Sequence, residues 1–204
     1  MANDNKKFTF FFTLASPFSN FHPAKIQYKN YTFCSNEQFM MFGKAKTFKD
    51  EATASKILEI NNDPLIQDFL NGVVSSKDIV NNGELSARWN KLMMSVKSLG
   101  RGVKNYDDAV WAEKREKIVF VGAREKFSQN EDMRTDLMAT TGTKMVEASK
   151  FDKIWGIGLS EYDAKKVPSK NWPGLNLLGK VLDEVRDALS LKAEINRPSP
   201  RFKG

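Results

Sequence analysis

The segment Ser35-Asn36-Glu37-Gln38-Phe39-Met40-Met41-Phe42-Gly43-Lys44-Ala45 constrains this chain more than any other. It predicts a helix carrying an acid and an amine on one face, among large apolar neighbours. Ser35 stands at the cap position, and Gln38 can reach back to it to complete a reciprocal capping box. Glu37 and Lys44 lie two turns apart at about 3.6 residues per turn, so they project within about 20° of each other. A surface helix rarely places Phe39, Met40, Met41 and Phe42 between two such groups. An ion-paired face beside an ordinary core stripe has the same spacing, so the residues around this helix must decide between the readings.

The remaining pattern is mostly helical. Residues 8–13 read as a short buried strand, followed by a loop at 16–23 punctuated by Pro17 and Pro23. Ile26-Gln27-Tyr28 and Tyr31-Thr32-Phe33 alternate about Lys29-Asn30, which predicts a hairpin. Helices are expected at about 51–60 behind Asp50, and at 64–70 with Asp63 as cap and Pro64 in the first turn. Trp89, Leu92, Met93, Val96 and Leu99 keep helical spacing up to a stop at Gly100. A long helix from Asp108 to Phe127 and another from Glu131 to Ala139 follow, the latter closed by Thr141-Gly142. Residues 144–149 read as a strand with Met145, Glu147 and Ser149 on one side. The last helix, opened by Asn176 or its neighbour, turns Leu178, Val181, Leu182, Val185 and Leu189 to a core. The sum is an α+β fold: a mainly helical single domain with a small β-sheet over residues 1–190, then a basic, disordered tail at 191–204.

Composition narrows the chemistry. With one Cys and one His, the chain can form no internal disulfide and no nitrogen and sulfur cage for zinc, so neither metal nor cofactor is expected. His22 and Cys34 are read as structural. No apolar run approaches the roughly 20 residues of a bilayer span, and no secretory signal pattern opens the chain, so the expected compartment is the cytoplasm and no membrane partner is expected. A net charge of +7 favours phosphate-bearing or nucleic-acid partners.

Three further clusters bracket the central helix. The loop at 16–23 offers Ser19, Asn20 and Phe21, small polar groups beside an aromatic, suited to a ribose or base; a structural proline turn is the competing reading. Arg101 follows a predicted helix end, where it can hold phosphate bidentately or neutralise the helix dipole, and Trp111 lies nearby in sequence. The third cluster runs from Glu147 through Asp152 to Trp155-Gly156-Ile157-Gly158, with Trp172-Pro173-Gly174 and Asn176 beyond. Tryptophans beside glycines suit a place where backbone approaches a ligand and aromatic faces stack on it. The glycines form neither a dinucleotide-binding fingerprint nor a phosphate-binding P-loop.

In order along the chain, the 16–23 loop, Ser35-Asn36-Glu37-Gln38 with Lys44-Ala45, Gly100-Arg101, Trp111, Lys126-Phe127, Thr141-Gly142, Glu147-Ala148-Ser149, Asp152, Trp155-Gly156-Ile157-Gly158 and Asn176-Leu177-Leu178-Gly179 resemble the NADAR, or YbiA-like, family. The resemblance spans roughly residues 8–189, with expansions at about 61–98 and 159–172 relative to shorter members. It implies a YbiA-like fold and an N-glycosidase acting on nucleotide-derived ribosyl groups. The substrates it points to are riboflavin-pathway ribosylaminopyrimidine phosphates and ADP-ribosylated guanine, free or in nucleic acid. Glu37, Lys44 and Asp152 are then the expected catalytic residues. Ser19, Asn20, Phe21, Arg101, Trp111, Glu147, Trp155, Gly156, Gly158 and Asn176 are expected to bind substrate.

Residue chemistry suits that reaction. A neutral lysine can attack the anomeric carbon of a ring-opened ribosylamine and leave a Schiff base for water. Apolar neighbours help keep Lys44 neutral. Glu37 can move protons or stabilise positive charge, and its place in the first turn of a helix favours its ionised form. Asp152 is either a second proton carrier, a ribose hydroxyl ligand or a turn cap. The competing functional readings are a non-catalytic ADP-ribose or NAD module, and a basic nucleic-acid binder with an incidental pocket.

Overall fold

The computed structural model describes residues 7–195. β1 (Phe8–Phe11) pairs in parallel with β4 (Lys144–Glu147), Phe8 opposite Lys144 and Phe11 opposite Glu147. β2 (Ile26–Tyr28) and β3 (Tyr31–Phe33) form the expected antiparallel hairpin, with Lys29 at φ 53 in its turn. The small sheet is therefore two separate two-stranded pieces among the described residues.

The helices are α1 (Asn36–Thr47), α2 (Glu51–Glu59), α3 (Pro64–Leu70), α4 (Ser76–Asn81), α5 (Gly83–Arg101), α6 (Asp108–Gln129), α7 (Glu131–Ala139), α8 (Glu161–Ala164) and α9 (Leu177–Ile195). α1 packs against α2, α5 and α6, while α9 packs on α6 and covers β4. That central position explains its sequence: Phe39, Met40, Met41 and Phe42 are all buried, because the helix faces protein on nearly every side. α6 and α5 come close to it through glycine. A Cβ on Gly122 would stand 2.6 Å from Phe39 Cδ1, and one on Gly100 would stand 1.9 Å from Met41 Sδ.

Gly100 thus does not stop a helix, as its sequence position implied. α5 runs through it to Arg101, with Gly102 as the C-cap, and the glycine is needed for contact with α1. α5 also begins earlier than Trp89, at Gly83, where the Asn82 side chain accepts from Glu84 and Leu85 N–H. α4, with its Ser75–Asp78 capping box, is a helix beyond those the spacing predicts. The 61–98 segment is part of the core rather than an appendage, since Ile66, Ile79, Trp89 and Met93 are fully buried.

The cap of α1 also differs in one detail. Ser35 Oγ accepts from Gln38 N–H at 3.1 Å, as expected. Gln38 Oε1 accepts instead from Cys34 N–H at 2.8 Å, one residue upstream, where a buried donor needs an acceptor. Gln38 Nε2 donates to Ile57 O and Asn61 Oδ1, tying the hairpin, α1 and α2 together. α9 continues to Ile195, inside the stretch read as tail; the rest of that stretch lies outside the described residues. No helix among the described residues is long and apolar enough to cross a membrane.

Candidate active site

The loop at 16–22 is fastened from three sides, which fixes the residues it presents. Trp89 Nε1 on α5 donates to Phe21 O at 2.8 Å, and Lys126 Nζ on α6 donates to Ser19 O at 2.9 Å. At the start of α1, Glu37 N–H donates to Asn20 O at 2.9 Å and Asn36 Nδ2 donates to Asn20 Oδ1 at 2.8 Å. His22 serves the same loop. Its Nδ1–H donates to Leu14 O at 2.8 Å, and burial with the nearby Lys126 holds its pKa down to about 3. Cys34 is fully buried, its thiol pushed up to about 12 by burial, so it too is structural.

Above this loop lies a cleft of about 130 Å³. At about 10–15 Å³ of accessible space per water, it holds roughly ten waters, comparable to the heavy atoms of one pentose. Ser19, Asn20 and Phe21 line it together with Glu37 and Lys44 of α1, Arg101 of α5, Trp111 of α6, Glu147 at the end of β4, and Asp152 and Trp155 beyond it. Two larger clefts exist. One of 470 Å³ is lined mainly by aromatics between the hairpin, α1 and α6, and one of 370 Å³ lies beside α4 and α7. Neither contains a buried carboxyl without a partner.

The small cleft contains two. Glu37 Oε1 and Glu147 Oε2 are sealed from solvent and have no hydrogen-bond partner among the described residues. Glu37 is 2% exposed, and its carboxyl is pushed up to about 7, first by burial and further by Asp152, against the pull of Lys97 and Arg101. Burial thus opposes the ionised form that the helix dipole favours. The dipole contributes up to about 2 kcal/mol, whereas a shift of this size represents about 3 kcal/mol. Glu147 is pushed up to about 8 by burial, then by Asp152 and by Glu37. Both glutamates therefore hold protons more tightly than ordinary side chains.

Lys44 is shifted the opposite way, toward its neutral amine, by burial and by the Arg101 guanidinium. Its Nζ lies 4.2 Å from the centre of the Tyr106 ring and 5.7 Å from that of Trp111. Tyr106 was missed in the sequence because it sits in an irregular loop. Its hydroxyl donates to Asp108 Oδ1 at 2.7 Å, which fixes the ring over the amine. Lys97 also lines the cleft and was missed. Its place one turn before Arg101, at i and i+4, was the available signal. Lys97 Nζ lies 5.7 Å from the Phe21 ring centre. Neither Lys97 nor Arg101 has an ion-pair partner among the described residues.

Asp152 lines the cleft while acting as a turn cap: its Oδ1 accepts from Ile154 N–H at 2.9 Å and Trp155 N–H at 2.8 Å. Three expected ligands lie outside the lining. A Cβ on Gly156 would meet Glu147 O at 2.9 Å, and one on Gly158, at φ +71, would meet Lys153 Cγ at 2.9 Å. At both positions the missing Cβ lets neighbouring chain pack closely. The Asn176 amide is engaged in both directions by β4, accepting from Glu147 N–H at 3.0 Å and donating to Met145 O at 2.9 Å. Trp172 also lies elsewhere, its ring 5.0 Å from that of Phe8 in a small second core. Among the described residues no group of three or more His, Cys, Asp or Glu is placed to hold a metal.

Comparison with known proteins agrees with this architecture. The NADAR domain family model matches residues 4–190. Protein irg-1 of Caenorhabditis elegans is 33% identical over 205 aligned positions, covering 93% of this chain and 82% of that one. N-glycosidase R617 of Acanthamoeba polyphaga mimivirus is 36% identical over 155, covering 76% of this chain and 74% of its own. The NMR structure of Escherichia coli YbiA superposes with a TM-score of 0.64 at 20% identity, covering 97% of this chain and 92% of that one, and so shares the fold. The parallel β1–β4 pair, the buried α1 and the cleft between them are those of a chain that belongs to the NADAR domain family.

Proposed function

We propose that this chain is an N-glycosidase that hydrolyses the bond between a phosphate-bearing ribosyl group and the amine of a base or base-like molecule. The observation that carries the reading is the meeting of Glu37 and Lys44 in one small cleft, each pushed toward its uncharged form. A neutral amine is a nucleophile, and a carboxyl titrating near 7 can both give and take protons at physiological pH. Relatives named N-glycosidase support the reaction class.

The roles follow from position. Lys44 adds to the anomeric carbon of the ring-opened ribosylamine, displaces the amine, and forms an imine that water hydrolyses. Glu37, once ionised, stabilises positive charge at that carbon. Lys97 and Arg101 hold the phosphate, because neither is held in an ion pair among the described residues while Lys44, the third basic side chain of the cleft, is shifted toward its neutral amine. Phe21, Trp111 and Trp155 offer aromatic faces to the base. Asp152 is assigned to a ribose hydroxyl, since its Oδ1 already serves two backbone donors.

The two expected substrate types, a ribosylaminopyrimidine 5-phosphate and ADP-ribosylated guanine in DNA, share this ribosyl N-linkage and phosphate. Incubating the protein with each, and with NAD, and identifying released bases by mass tests the reading. Base release from one of the two ribosylated amines is expected. Release from neither, with ADP-ribose still bound, would make the chain a binding module.

A further inference from the structure

We propose that Glu147 is the proton donor of this site, delivering its proton to the ring oxygen of the bound ribosyl group; the proposal rests on the N-glycosidase reading above. Its backbone is fixed on both sides. Glu147 N–H donates to Asn176 Oδ1 at 3.0 Å, and Glu147 O accepts from Ile157 N–H at 3.0 Å. Next to it, Ala148 N–H donates to Phe11 O at 2.8 Å, continuing the parallel β1–β4 register. The side chain is thereby set into the cleft, with Oε2 sealed and unpartnered. Buried carboxyl oxygens normally find partners, and an exception in a cleft points to a ligand atom.

The charged groups around Glu147 come from every wall of the cleft. Glu37 faces it from α1, Asp152 from the following loop and Lys97 from α5, with Lys44 and Arg101 lining the same space. Two carboxyl groups in one small cleft disfavour simultaneous ionisation, so their environments divide acid from base. Asp152 has Oδ1 engaged by two backbone donors, which leaves the glutamates as the carboxyls free to hand over a proton. Of these, Glu37 faces two cations, Lys97 and Arg101, that favour its carboxylate, whereas Glu147 faces Lys97 alone, so the acid is Glu147.

The step balances as follows. The lone pair of the exocyclic nitrogen forms a double bond to C1′ as the C1′–O4′ bond breaks, and O4′ takes the proton of Glu147, leaving a carboxylate. Lys44 adds to C1′, and its extra proton passes to the departing amine, which leaves. Water then adds to the Lys44 imine and gives its proton to the Glu37 carboxylate, which passes it to solvent, while Glu147 regains its own proton from solvent. Collapse of the carbinolamine, with its hydroxyl proton moving to nitrogen, frees Lys44 and the sugar aldehyde. No other co-reactant is needed.

The test uses the full chain, a ribosylaminopyrimidine 5-phosphate as substrate, and glyceraldehyde 3-phosphate as an aldehyde that requires no ring opening. Glu147→Gln is expected to lower base release at least about 100-fold and to remove the alkaline limb of kcat/KM near 8. It should still allow borohydride to trap glyceraldehyde 3-phosphate on Lys44 at the wild-type rate. Turnover within about threefold of wild type, with the limb in place, would overturn the proposal. Should the variant lose aldehyde trapping as well, Asp152→Asn decides: its charge raises Glu147, so the limb must move to lower pH, and an unmoved limb overturns the assignment. Wild-type protein that neither releases base nor traps the aldehyde would instead refute the underlying N-glycosidase reading.

Discussion

The Lys44 ammonium lies 4.2 Å from the centre of the Tyr106 ring, so the amine of α1 is roofed by an aromatic from the loop that precedes α6. Burial and the Arg101 guanidinium nonetheless disfavour the ammonium form, against the pull of the ring, and give the lysine nucleophilic character. We predict that Lys44→Ala abolishes base release, by about 10²-fold or more, with the far-UV dichroism unchanged. Wild-type turnover in that variant would remove Lys44 from the mechanism.

Glu37→Gln should also abolish turnover while making the fold more stable at neutral and alkaline pH. The folded-state carboxyl is raised from 4.5 to about 7, so its contribution to stability is complete below 4.5 and is lost as pH rises to about 7. Relative to wild type, the variant should therefore gain stability across that window, by about 3 kcal/mol at most, and then level off. Urea unfolding at pH 4.5, 6 and 8 measures the difference; a constant offset would mean that Glu37 titrates normally.

Arg101→Gln should raise KM for phosphorylated substrates about tenfold or more and leave a dephosphorylated analogue unaffected, with Lys97→Gln acting in the same direction. It should also move the limb governed by Lys44 to higher pH, because the Arg101 charge is one reason the lysine is shifted down. Steady-state kinetics across pH with both substrates reads the two effects. A KM rise shared equally by both substrates would assign Arg101 to something other than phosphate.

Lys126 is 1% exposed and its ammonium is shifted down to about 7 by burial alone, yet it holds Ser19 O at 2.9 Å. A depressed folded-state value favours the neutral amine, so stability rises as pH climbs from about 7 to 10.5. Lys126→Met should abolish that rise and, by releasing the loop that carries Ser19, Asn20 and Phe21, raise KM several-fold. Thermal melts from pH 7 to 10, together with kinetics, check both halves.

Gly100→Ala should destabilise the fold by about 1–3 kcal/mol, because its Cβ would stand 1.9 Å from Met41 Sδ and 3.1 Å from Met41 Cβ. Adding Met41→Ala should recover part of the loss by making room. Non-additive unfolding free energies in the double-mutant cycle would confirm the contact, and simple additivity would deny it.

The sequence by itself determined what local pattern can determine. The cap of α1 at Ser35, the hairpin about Lys29-Asn30, the amphipathic α9 and the common face of Glu37 and Lys44 all follow from spacing and turn chemistry within one segment. Tertiary structure decided the rest. Gly100 reads as a stop until α1 is seen to press on it, and Asn176 reads as a ligand until β4 takes both ends of its amide. Lys97 and Tyr106 join the site only because α5 and the 102–107 loop converge on α1. The Glu37 carboxyl shows the same division: a helix dipole is a local property written in the sequence, whereas burial depends on every element packed around the carboxyl and here pushes it toward its protonated form.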